Sequence, residues 1–110
     1  MAAANYSIII DQHQDFARAF QVKIDDVVLD LTDHTFEAQL RDRESSSEAY
    51  DFTVTVVDAP QGLINMNMSD TITATIKSGD YVYDLVMIKP NGDKTRLLQG
   101  KAVVEAGVTR

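Results

Sequence analysis

Residues 79 to 96, GDYVYDLVMIKPNGDKTR, constrain the fold of this chain more than any other stretch. Tyr81, Tyr83, Leu85 and Met87 alternate with Val82, Asp84, Val86 and Ile88, the period of two that turns one side of a strand toward a core. The run halts at Pro90-Asn-Gly-Asp93, where proline presets a turn and Asn91-Gly92 is the strongest hairpin signal in the sequence. Thr95 to Glu105 then reads as the return strand, with Leu97, Leu98, Val103 and Val104 as its apolar positions. Gly100, in its middle, suits a bulge or a close approach to a neighbouring strand.

The same alternation recurs upstream. Thr35 to Arg41 places Phe36, Ala38 and Leu40 inward, and Tyr50 to Val56 does so with Tyr50, Phe52, Val54 and Val56. After the turn at Pro60-Gln-Gly62, Leu63 to Met68 carries Ile64, Met66 and Met68 on one side and two asparagines on the other. Asn5 to Asp11, with three consecutive isoleucines, and Phe16 to Lys23, with Phe16, Phe20 and Val22 in phase, are two further strands. A short strand over Val27 to Leu31 fits between turns at Asp25-Asp26 and Asp33-His34. Asp42 to Glu48, polar and rich in serine, reads as an exposed loop. Ser69 to Ile76 is rich in β-branched residues, yet it starts with good N-cap residues and is followed by Lys77-Ser-Gly79, so one short helical turn is expected. Seven to eight strands joined by short turns predict an all-β chain, an immunoglobulin-like antiparallel β-sandwich. Residues 1–110 are expected to form one domain, with residues 1–4 as a flexible N-terminal arm.

Composition narrows the function classes. Seventeen acidic against ten basic residues give a net charge of −7, which repels phosphate backbones and anionic lipid, so neither nucleic acid nor membrane is an expected partner. There is no cysteine, which rules out disulfides and thiolate chemistry. The opening MAAANYSIII lacks the basic flank of an export signal, and no run reaches the roughly eighteen apolar residues of a membrane span, so a soluble, unexported chain is expected.

No reactive constellation emerges. His13 and His34 sit beside turns with acidic neighbours, in a spacing that matches no metal motif. Asp25-Asp26 lacks the length and the glycine of a calcium loop. None of the serines stands in a nucleophile elbow, and the five glycines occur singly rather than in a phosphate loop. Met66, Met68 and Met87 read as core fillers. Tyr81 and Tyr83 read either as core wall or as contact anchors. A non-enzymatic binding or structural module without cofactor or metal is the expectation.

The order of NYSIIIDQHQDF, LDLTDHTFEAQLR, GDYVYDLVMIKPNGDKTRLLQGKAVVE and the terminal VTR, covering Asn5 to Arg110, resembles a family of small virion proteins of tailed bacteriophages. That family opens with an Asp-Gln-Gly-like turn, carries a Leu-Thr-Gly-Tyr-Thr-like turn, and closes with a Gly-x-Tyr-x-Tyr-Asp-Leu hairpin and a Val-Thr-Arg tail. This sequence departs from the pattern at His13, where the family has glycine, and at Asp33-His34, where it has Gly-Tyr. The resemblance implies an immunoglobulin-like accessory module of the virion, made in the host cytoplasm and docked in several copies on tail, baseplate or neck proteins. It further marks Tyr81, Tyr83, Val108, Thr109 and Arg110 as candidate partner-binding residues. One alternative is a capsid decoration protein. Another is a carbohydrate-binding adsorption module with Tyr6, Tyr50, Tyr81 or Tyr83 as stacking platforms, against which stands an aromatic content of only 7% without tryptophan.

Overall fold

Ten strands and one helical turn follow one another in the computed structural model, which describes residues 4–42 and 49–106. They are β1 (Ala4–Asn5), β2 (Ile8–Asp11), β3 (Phe16–Gln21), β4 (Lys23–Ile24), β5 (Val27–Val28), β6 (Thr35–Arg41), β7 (Ala49–Asp58), β8 (Leu63–Met68), α1 (Asp70–Thr73), β9 (Gly79–Ile88) and β10 (Lys94–Glu105). The all-β class expected from the alternation, an immunoglobulin-like sandwich in that expectation, forms as a curled sheet of mostly antiparallel strands. The count exceeds seven or eight because β1 and β4 are two-residue pieces split from the strands expected at 5–11 and 16–23, while the strand expected at Val27 to Leu31 shortens to β5. The polar loop expected at Asp42 to Glu48 lies, except for Asp42, outside the described residues.

One sheet runs β10-β9-β6 and ends on the first half of β7, with β1 and β2 along the outer side of β10. The other consists of the second half of β7, then β8, then β3. β7 therefore serves both: Ala49–Phe52 pair with β6, and Thr53–Asp58 pair with β8. Its ten residues carry the chain from one layer to the next, so the sandwich is a single curled sheet on that side. The expectation of purely antiparallel pairing is corrected at one place, since β1 and β2 run parallel to β10. That placement buries Ile8 and Ile10 beside Ala102 and Val104.

The inward positions are those named by parity. Leu40, Ile64, Met66, Met68, Leu85 and Met87 are fully buried, with Phe16, Phe52 and Tyr83 forming an aromatic run through the core at centroid spacings of 5.7 and 6.4 Å. In β10 the register slips between Arg96 and Leu98, and the bulge lets Leu97 and Leu98 both pack on the core where strict alternation would send one outward.

The turns follow from residue chemistry. At the C-terminal hairpin the Gly92 N–H donates to the Lys89 carbonyl at 2.8 Å, so Pro90 and Asn91 are the central turn residues and Gly92, with φ of 94°, follows them. This is a proline-led turn closed by a glycine bulge rather than a two-residue Asn-Gly turn. β4 and β5 are joined by Asp25-Asp26, both left-handed (φ 52° and 64°), as a two-residue hairpin demands. α1 is clamped to the β2–β3 turn. Gln12 Nε2 donates to Ile76 O at 2.6 Å, the Asp70 N–H to Asp15 Oδ1 at 2.8 Å, and Thr73 Oγ1 to Gln14 O at 2.9 Å.

Candidate interaction surfaces

The Tyr81-Val-Tyr83 pair is divided in role by its hydroxyls. Tyr81, half-buried at the start of β9, donates its hydroxyl to the carbonyl of Lys77 at 2.7 Å, four residues back across the corner that follows α1. A tyrosine hydroxyl bonded back to the main chain a few residues upstream holds the corner in shape, an arrangement of the tyrosine-corner type. Tyr83 is only 3% exposed and donates its hydroxyl to the Tyr6 carbonyl at 2.5 Å, fastening the N-terminal strand to the core. Burial pushes its pKa up to about 12, with Tyr6 adding to the rise and the Arg18 charge opposing it. Of the two readings open to Tyr83, core wall is the one realised, and its assignment as a partner contact is withdrawn because no face of the ring reaches the surface. Val108, Thr109 and Arg110, the remaining candidates, lie outside the described residues.

The tyrosines are poorly placed as stacking platforms. Tyr50 and Tyr81 are half-buried against the core, and Tyr6, 42% exposed, sets its ring edge-on to Phe20 at 5.6 Å. The histidines sit where the sequence placed them, in turns. His13 is left-handed (φ 66°), and His34 has Nδ1 3.0 Å from the Thr32 carbonyl. In the same turn Thr32 donates its hydroxyl and its amide to Asp30, which holds that carboxyl below its ordinary pKa. Among the described residues no three His, Asp or Glu side chains converge as metal ligands, and no helix is long and apolar enough to cross a membrane.

The surface that sequence reading missed is the outer face of the larger sheet. Outward side chains from neighbouring strands line up in rows because register brings them level. Arg41, Val82 and Lys101 stand in one row, and Gln39, Asp84, Gln99 and Asn5 in the next. Together with Arg96 they border an open cleft of about 810 Å³ beside the break between β1 and β2. Asp84 pairs with Arg96 at 3.3 Å, Arg41 donates to Gln39 at 2.7 Å, and Gln39 donates to Asp51 at 3.0 Å. Arg41, Arg96 and Lys101 thus stand among Asp84 and, across Gln39, Asp51, so cations and carboxylates alternate on this face. Parity alone marks each of these residues as outward, but only the strand order makes them neighbours.

Two strand edges are open as well. β2 has β10 on one side, and β3 has β8; neither has a second strand partner among the described residues. Unpaired backbone amides and carbonyls along such edges are templates for another strand.

No protein-family model matches the chain, and no curated protein sequence matches it. Twenty chains of solved structures do match. One is an internalin-like protein of Listeria monocytogenes, 11% identical over 96% of this chain, with a TM-score of 0.46. This chain spans 28% of the length of that protein.

Proposed function

We propose that the protein is a non-enzymatic, immunoglobulin-like accessory module of a tailed-bacteriophage particle, docked in several copies on tail, baseplate or neck proteins. One observation carries the reading beyond the linear resemblance. The two positions at which this sequence lacks the family's glycine, His13 and Asp33, both adopt left-handed backbone, with φ of 66° and 63°. Left-handed geometry is what glycine serves at a turn, and Asp or His occupies it at modest cost. Backbone of the kind glycine favours at the two positions where the resemblance expects glycine supports the reading. Function in such a module lies in surfaces, and this one offers a polar cleft on one sheet and open edges on both.

The test is quantitative peptide mass spectrometry of purified particles, divided into head and tail fractions and scaled to a capsid protein of known copy number. Recovery with tails at a few to a few dozen copies is the expected result. Recovery with heads at hundreds of copies would replace the tail assignment with capsid decoration, and absence from both fractions would end the virion reading.

A further inference from the structure

Strand β3 departs from the chain's own pattern at Arg18. In FARAFQ the positions in phase with the core are Phe16, Arg18 and Phe20, while Ala17, Ala19 and Gln21 face water. Arg18 stands opposite Met66, which is fully buried, so a guanidinium shares the inner face with phenyl rings and a thioether. Its Nε is buried and has no hydrogen-bond partner among the described residues, and the guanidinium carbon lies 5.5 Å from the Phe16 ring centre. A buried donor without an acceptor costs free energy, more so on a cation. The ion pair between Arg96 and Asp84 is on the other sheet.

The edge beside this cation is vacant for a topological reason. The N-terminal strands pair with β10 in the larger sheet, and among the described residues β3 has β8 as its single neighbour. We propose that this edge receives an extended segment of a partner protein by strand addition, and that the segment carries a carboxylate side chain which enters the sandwich rim and bonds Arg18. The main chain of the segment pairs with Phe16–Gln21, and its inward positions alternate apolar, acidic, apolar to match Phe16, Arg18 and Phe20. A second copy of β3 is disfavoured as occupant, because it would bring a second inward arginine to the same rim. An inward charge on an edge strand thus excludes self-pairing and selects an acidic partner. The inference rests on the docking role proposed above and names its surface and the chemistry of what it holds.

The test uses the intact protein, its Arg18→Met variant, and two synthetic nine-residue peptides of alternating threonine and valine with a central glutamate or a central glutamine. Binding is followed through backbone amide NMR shifts. The glutamate peptide is expected to shift residues 16–21 and to bind at least tenfold more tightly than the glutamine peptide, a preference that vanishes in the variant. Arg18→Met is also expected to raise the Tm of the isolated protein by several degrees, since it replaces an unpaired inward charge with an apolar chain of similar length. Equal binding of the two peptides, no binding of either, or a lowered Tm in the variant would each overturn the proposal. In particles, wild-type incorporation with loss of the variant is the expected pattern. Equal incorporation overturns the edge assignment alone, whereas absence of the wild type removes the virion reading.

Discussion

At the scale of single residues, Gly100, Tyr6 and Tyr83 form one knot. A Cβ on Gly100 would lie 2.3 Å from the Tyr6 carbonyl oxygen, the same oxygen that accepts the Tyr83 hydroxyl. Glycine is required there by approach of backbone to backbone, not by its φ. Gly100→Ala is expected to destabilise the fold by roughly 2–3 kcal/mol, read as a drop in Tm of about 10 °C, because β1 or β10 has to move. Tyr83 adds a pH dependence. Its folded pKa of about 12 exceeds the ordinary 10, so the folded state holds the phenolic proton more tightly than the unfolded state. The resulting stability is fully present below pH 10 and is lost as pH rises from 10 to 12. Urea unfolding across that window should show a decline on the order of 2 kcal/mol, with one of the four tyrosines ionising late by phenolate absorbance. In Tyr83→Phe that part of the decline is absent, and at neutral pH the variant is less stable by about 1–2 kcal/mol through the unsatisfied Tyr6 carbonyl.

At the scale of elements, Asp25-Asp26 sets two adjacent carboxylates in left-handed backbone. Replacing them with Asn-Gly, the pair that this turn geometry prefers, is expected to stabilise the protein by about 0.5–1 kcal/mol in thermal unfolding. The elements most legible in the sequence are β6, β8 and β9, because each presents one buried face and therefore keeps a clean period of two. The short helix was legible too, from caps that outweighed β-branched content at Thr71, Ile72 and Thr73. What stayed hidden is what depends on distant partners. The parallel seat of β2 beside β10 joins residues more than ninety apart, and no local pattern records it. The division of β7 between two sheets is likewise invisible, since its alternation runs on unbroken to Val56 while its neighbour changes from β6 to β8. Gly100 signalled a close approach, which is realised, but the bulge came three residues earlier at Leu97. Tyr83 could have been assigned to the core by its phase with Leu85 and Met87. Arg18 could have been marked in the same way, as a charge in phase with Phe16 and Phe20.

At the scale of the whole molecule, the curled sheet closes one side of the sandwich through β7 and leaves the side between β2 and β3 open. A chain of net charge −7 repels its own copies at a distance, yet it gathers Arg41, Arg96 and Lys101 around one cleft and turns Arg18 into the open rim. Such a distribution discourages non-specific association and favours partners that bring carboxylates to defined places. Docking through the β3 edge is read most directly by hydrogen–deuterium exchange of the free protein and of the protein within particles. Peptides covering residues 16–21 are expected to exchange faster than those from β9 in the free state and to become protected on docking. Unchanged exchange across β3 in the particle-bound protein would contradict it.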